Sequence, residues 1–280
     1  MSNRKGIILI ALIFIAGFLI FMYPTFSDAW NRNRDSHLIT EYQSSVEDAG
    51  EEQLEEELEK AEAYNKTLLG GQVPDAFAQR DGIQDQEYES LLNINNDGVI
   101  GYVEIPAIDV KLPVYHYTTD EVLQKGAGHL FGSSLPVGGE STHAVISAHR
   151  GLPSAKMFTD LNLLEEGDIF TVHVLGRTVT YKTDQIKTVE PDNTSDLGIE
   201  KGSDYVTLLT CTPYGVNTQR LLVRGHRVSN EEAGEAAEVK KAAGRNPGLA
   251  EEILCAAAGV MLGVLVIFTA GYIKRKRSNR

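Results

Sequence analysis

The feature that most constrains this chain is a pair of charge-free apolar runs, one near each end. Between Lys5 and Asp28 lie 22 residues without a formal charge, including GIILIALIFIAGFLIFMYP. Between Glu252 and Lys274 lie another 21, ILCAAAGVMLGVLVIFTAGYI. A bilayer core takes roughly 20 apolar residues at about 1.5 Å rise each, so both runs are long enough to span it. Arg4 and Lys5 precede the first run; Lys274, Arg275, Lys276, Arg277 and Arg280 follow the second. Basic flanks stay in the cytoplasm, which places both termini inside and residues 28–252 outside. The competing reading of the first run is a cleaved signal peptide. The run is long for a signal core and no A-x-A site follows, so it reads as a retained anchor.

The outside region carries 19 basic residues against 39 acidic ones. Binding to nucleic acid is dominated by cationic contacts to phosphate, so this balance argues against such a partner. Of the two cysteines, Cys255 falls in the second apolar run and Cys211 is the one outside thiol. An unpaired thiol in an oxidising compartment needs a reason, either burial as a small apolar side chain or chemistry. Neither an HExxH nor a CxxC motif is present, so no metal or cofactor is expected.

Residues 28–70 read as helical. Leu38, Tyr42 and Val46 recur every four residues, as do Leu54 and Leu58, with Ala61 and Tyr64 continuing the stripe and Gly50 interrupting it. EEQLEEELEKAE is a solvated helix face with pairs such as Glu56–Lys60. Gly70-Gly71 ends the helix, and the aperiodic stretch that follows reads as a loop with one aromatic, Phe77, among polar neighbours. From Gly98 the character turns to β: VIGYVEI, DVKLPVY, HAVISAH, DIFTVHVL, RTVTYKTDQIKTV, DYVTLLTC and RLLVRGHRV, separated by turn residues. Seven or eight short strands over this length predict a closed barrel or a sandwich. SAKMFTDLNLL reads as a short crossover helix, and the Ala- and Glu-rich residues 229–252 as a stalk to the second span.

Within YVTLLTCTPYGVNTQRLLVRGHR, Cys211 sits where a strand meets a loop, and Arg220 lies nine residues on, at the start of the next strand. An antiparallel return brings the two into one neighbourhood, and a guanidinium is a permanent donor for an oxyanion. A reacting thiol also needs a base. His149 lies at the end of HAVISA, but His143 is an even number of residues earlier, so strand periodicity does not separate them. His226 sits in a charged cluster that suits a structural role. For His37, His116, His129 and His173 the sequence offers no partner.

These residues carry a family resemblance. TLLTC followed by Arg220 resembles the sortase signature, T-L-x-T-C with an arginine on the next strand, and a histidine about sixty residues upstream completes that family's site, which selects His149. AHRGLPSAKMFTDL and NTQRLLVRGHR resemble the pilus-building class C. The resemblance implies a mainly β fold: an eight-stranded barrel at 98–228, preceded by a membrane anchor at 1–27, a helical region at 28–70 and a lid loop at 71–97. It is followed by the stalk at 229–252, a second span at 253–273 and a basic cytoplasmic tail at 274–280. Class C lids usually carry Asp-Pro-aromatic; here Asp75, Ala76 and Phe77 stand in those places, so the stiffening proline is missing.

The resemblance further implies a reaction on the outer face of a Gram-positive membrane. Cys211 attacks the Thr carbonyl of an LPxTG-like sorting signal, His149 protonates the leaving Gly amine, and Arg220 holds the oxyanion. A lysine amine of another pilin subunit then resolves the thioester. Two other readings give different products: a housekeeping enzyme would join single surface proteins to peptidoglycan precursors, and a non-catalytic membrane scaffold would leave Cys211 buried and inert.

Overall fold

The structure, a computed structural model, describes residues 2–71, 73–77 and 84–234. The second apolar run, Cys255, the basic tail and the stalk beyond Gly234 lie outside the described residues.

Helix α1 (Ser2–Asp48) is 47 residues long and passes Pro24 without a break, so the expected division at residue 27 is not a break in secondary structure. From Leu12 onward it is long and apolar enough to cross a membrane, and its apolar window is not buried against any of the described residues. Its last turns do the opposite: Ile39, Tyr42 and Val46 are buried against Val99, Tyr102 and Tyr115 of the barrel. Tyr42 also joins the helix to one strand and to the turn after another, donating through its hydroxyl to the Ile100 carbonyl at 3.2 Å and accepting from the Leu175 amide at 3.0 Å. Gly50, extended at φ −66° and ψ 149°, separates α1 from α2 (Glu51–Thr67). Lys60 lies 3.0 Å from both Glu56 and Glu57 on the solvent side of α2, while Ala61 is fully buried and Leu54, Leu58 and Tyr64 pack on the barrel core. The periodic stripe of α2 is thus used against the barrel.

Eight strands close in the order β1-β2-β3-β4-β7-β8-β6-β5. They are β1 (Val99–Ile105), β2 (Val110–His116), β3 (Ala127–His129), β4 (Thr142–Ser147), β5 (Ile169–Val174), β6 (Arg177–Val189), β7 (Asp204–Thr212) and β8 (Gln219–Arg227). Two neighbours, β2–β3 and β4–β7, run parallel, and antiparallel pairing of β1 with β5 closes the ring. The interior is filled by alternating residues such as Ile100, Ile146, Phe170, Tyr181, Leu208 and Val223, all essentially inaccessible. Burying each such side chain contributes ~1.5–3 kcal/mol.

All seven sequence-read runs are strands. The eighth, β3, is only Ala-Gly-His, too short and small to show a period. Gly128 is required there, because a side chain would strike the Tyr117 carbonyl. The expected crossover helix in SAKMFTDLNLL is only a 3-10 turn at Leu161–Leu163, and Met157, at φ +41°, interrupts any right-handed helix before it. The expected loop at 71–97 contains a short helix, α3 (Gln86–Ser90), capped by the Asp85 carboxylate on the Tyr88 amide at 3.0 Å. Helix α4 (Asp120–Lys125) links β2 to β3.

Asn65, buried near the end of α2, grips the loop between β3 and β4 as a strand would: its side-chain amide donates to the Leu135 carbonyl at 3.0 Å and its oxygen accepts from the Leu135 amide at 2.7 Å. Leu135 retains Val137 as a second partner for its carbonyl, but its N–H has Asn65. Asn65→Ala therefore leaves one buried donor unpaired and should cost about 1–3 kcal/mol, read as a lower urea midpoint with unchanged slope.

Candidate active site

β4, β7 and β8 are buried on both faces where they meet, unlike β5, whose residues alternate. The inner face belongs to the barrel core. The outer face is covered by residues 73–77: Val73 and Ala76, with Phe77, pack on Leu130, Val145, Leu197, Leu209 and Leu222. The Thr118 hydroxyl donates to the Ala76 carbonyl and holds this segment at its middle.

Cys211 is the penultimate residue of β7, and the β7–β8 register sets it directly opposite Arg220. The thiol is 8% exposed. Arg220 meets Asp75 in a two-point ion pair, Nε to Oδ1 at 2.9 Å and Nη2 to Oδ2 at 2.8 Å. Such bidentate pairs are the strong, directional form of the guanidinium–carboxylate contact. Phe77 lies between the two other groups. The Arg220 guanidinium sits over its ring at 5.0 Å from the centroid, and the His149 ring stands on it at 5.8 Å between centroids. The four residues Cys211, Arg220, Asp75 and Phe77, with His149 against Phe77, form one cluster at the barrel's surface.

β4 ends at Ser147, so His149 lies past the strand end and His143 within it. The even spacing that leaves the two equivalent in sequence loses its meaning at the strand's last residue. His143 is buried and spent structurally, with Nδ1 at 2.9 Å from the Gly198 carbonyl and Nε2 at 2.7 Å from the Thr207 hydroxyl. His149 has no hydrogen bond to its ring nitrogens among the described residues. His129 is held between the Tyr88 hydroxyl and the Ser134 carbonyl, His116 touches the Leu91 carbonyl, and His173 stacks on Tyr102. His226 faces Asp184 at 3.7 Å.

Burial is the leading influence on the two titratable groups. It pushes the Cys211 thiol above its ordinary value; Arg220 opposes the rise and Asp75 adds to it. It pushes the His149 imidazole below its ordinary value, against a weaker pull from Asp120. The hydrogen bond to Asp75 raises the Arg220 guanidinium further, so it stays charged. As the site stands, a neutral thiol and a neutral imidazole are both favoured near pH 7. Among the described residues no group of three His, Cys, Asp or Glu side chains converges as a metal site.

Three groups at the site are not singled out by sequence reading: Thr118, Asp120 and Arg150. Arg150 follows His149 within AHRGLP and reaches Thr212, the residue after Cys211, at 2.9 Å. Only its adjacency to His149 marks it in the sequence, because its partners come from other parts of the chain.

The family model for the sortase domain matches residues 103–228, the barrel from its first strand to just past its last. Among solved structures, the chain is 46% identical to sortase C of Streptococcus pneumoniae, a structure presented for catalysis and pilin substrate specificity. The match covers 69% of this chain and 97% of that one, with a TM-score of 0.65. Sortase C1 of Streptococcus agalactiae is 49% identical, over 69% of this chain and 99% of that one, with a TM-score of 0.64. Sortase D of Bacillus subtilis is 31% identical over 132 residues, 46% of this chain and 64% of that protein. The shared barrel and the high identity across nearly the whole of the sortase C chains lead to one conclusion: the chain belongs to the sortase family of cysteine transpeptidases, alongside the sortases C.

Proposed function

We propose that the protein is a pilus-building sortase, anchored in the membrane by α1 and its second apolar run, with the barrel on the outer side. The observation that carries the reading is the pairing of Cys211 with Arg220 beneath a segment that fills the same surface. A carboxylate on the guanidinium and a ring between Arg220 and His149 occupy the place that a peptide would need.

In this reading residues 73–77 are a lid that must leave before substrate enters. The Cys211 thiol then attacks the Thr carbonyl of an LPxTG-like signal. His149 takes the thiol proton and delivers it to the Gly amine as the C–N bond breaks, because an amine leaves poorly without a proton. Arg220, freed from Asp75, donates to the carbonyl oxygen while it carries negative charge. The product is a thioester on Cys211 and a free Gly amine. A lysine amine of a second pilin subunit attacks the thioester, loses its proton to His149, and expels Cys211, which recovers a proton. An isopeptide bond replaces the original amide. The likeness to the pneumococcal sortase C supports pilin proteins as donor and acceptor.

Incubating the purified chain with an LPxTG peptide and a lysine-bearing pilin tests the reading: a covalent pilin–peptide adduct supports it, and recovery of unreacted peptide under all conditions counts against it. Cys211→Ala should abolish the thioester. His149→Ala and Arg220→Ala should each lower turnover by at least ~10²-fold, the usual scale for losing acid–base or oxyanion assistance. His143→Ala should keep most turnover wherever it stays folded, since its ring is engaged with Gly198 and Thr207.

The lid makes a separate expectation. Burial of the Phe77 ring is worth ~1.5–3 kcal/mol, or about 10–100-fold in the opening equilibrium. Changing Asp75 and Phe77 together to Ala should therefore speed alkylation of Cys211 by about tenfold or more. The same change removes a carboxylate and some burial, both of which raise the thiol, so the midpoint of the alkylation–pH curve should move down. An unchanged rate and midpoint in a folded variant would show that the segment does not restrain the site.

A further inference from the structure

An imidazole that moves protons at the site has to keep its place. In many nucleophile–histidine sites a carboxylate or amide orients the imidazole through its second nitrogen. Here no described residue hydrogen-bonds either ring nitrogen, and the ring's aromatic support is Phe77, which sits on the segment that has to leave. Once that segment lifts, the position of the imidazole is set by the backbone that carries it.

That backbone is fixed at two successive residues, and the side chain of a third adds to them. The Ala148 amide donates to the Leu209 carbonyl at 3.2 Å, and the Ala148 carbonyl accepts from the Thr210 hydroxyl at 2.7 Å. The His149 carbonyl accepts from the Phe158 amide at 3.1 Å. Arg150 then spreads its guanidinium in three directions. Nε donates to the Thr159 carbonyl at 3.1 Å, Nη2 to the Asn162 side-chain oxygen at 2.8 Å, and Nη1 to the Thr212 hydroxyl at 2.9 Å. Two of these bonds close the loop that leaves His149; the third crosses to the residue beside Cys211. A second contact runs in parallel: Gly151, at φ +85°, lies so close under the Tyr214 ring that a Cβ there would be 3.0 Å from it. Residues 150 and 151, one and two places beyond the histidine, are thus coupled to residues 212 and 214, one and three places beyond the cysteine.

We propose that Arg150 is a positioning residue for the transpeptidation: it ties the loop that carries His149 to the strand end that carries Cys211 and holds the two in register while the site is open. The inference rests on reading Cys211 and His149 as the catalytic pair. The role requires the planar, several-pronged geometry of a guanidinium. A lysine ammonium supplies the charge but not three donors aimed along fixed directions. It equally requires the Thr212 hydroxyl as acceptor, which valine lacks at nearly the same volume and serine retains.

The test uses the full chain in detergent, an internally quenched LPxTG peptide as probe, and assays well below each variant's melting temperature. Arg150→Gln, Arg150→Lys and Thr212→Val should each lower kcat by about 10–100-fold, the scale expected when a reacting group is misplaced by about 1 Å. KM for the peptide should stay within about twofold, because Arg150 acts on the pair and not on the peptide. Thr212→Ser should restore kcat to within about threefold of the parent. The double variant Arg150→Gln/Thr212→Val should be no slower than the slower single variant, as for two ends of one contact. The role is overturned if Arg150→Gln turns over like the parent, if Thr212→Val matches Thr212→Ser, or if the loss appears in KM with kcat unchanged. Should Arg150→Gln misfold, the Thr212→Val and Thr212→Ser pair decides alone. Cys211→Ala and His149→Ala in the same assay separate the positioning role from the catalytic pair itself. If both are dead while Arg150→Gln is active, only the positioning role fails. If either stays active, or the parent leaves the peptide uncut, the functional reading fails and this inference falls with it.

Discussion

A hairpin sets two distant residues side by side only while its register is held, and in this chain the register of β7 against β8 is gripped from both sides. β4 pairs with β7 over Thr142–Ser147, and β6 pairs with β8 along eight positions from Tyr181 to Val189. Closure of the ring through β1 and β5 removes the free edges along which strands could slide. A slip of one residue would turn Cys211 from the outer face toward the core and separate it from Arg220, since side chains alternate with a period of two. Interior packing of Ile146, Leu208 and Val223 opposes that slip, because the same slip would expose all three. Barrel stability and site geometry are therefore one property seen from two faces of the same strands.

The outer face of those strands carries the site. It is apolar along Val145, Leu209 and Leu222 and ends in a guanidinium and a thiol. The 73–77 segment matches that order with Val73 and Ala76 on the apolar part and Asp75 on the guanidinium. The pairing keeps Arg220 engaged and the thiol withdrawn from water, which favours the uncharged thiol. Ala76 in the middle of this segment is held by one side-chain bond from Thr118 and lacks the ring constraint that proline would supply.

The same architecture carries the chain from its apolar helix to the barrel without a flexible joint. The apolar part of α1 and its Tyr42 contacts belong to one continuous helix, so the barrel's attachment to α1 is fixed by Ile39, Tyr42 and Val46. α2 then returns across the core and delivers the 73–77 segment from a fixed point, the Asn65 clamp on Leu135.

Much of this was legible in the residues. Seven strands announced themselves by β-branched runs between turn residues, the helical stripes by four-residue spacing, and the Cys211–Arg220 pair by a spacing that only an antiparallel return makes meaningful. These are local signals, set by periodicities that the backbone itself imposes. Strand β3 and helix α3 stayed hidden because they are too short to have a period; one needs a glycine for a neighbour's carbonyl and the other a cap from Asp85. The difference between His143 and His149 depended on where β4 stops, and the partners of Phe77 depended on which strands lie beneath it. The reach of Arg150 to Thr212 joins residues 62 apart. Sequence by itself determined which elements form and which residue types stand ready for thiol chemistry. Strand periodicity leaves His143 and His149 equivalent, and the family resemblance favours His149. Tertiary structure shows that His143 is spent on the scaffold and what holds the backbone at His149, because hydrogen bonds between distant segments follow from strand order and register, and neither leaves a trace in local sequence.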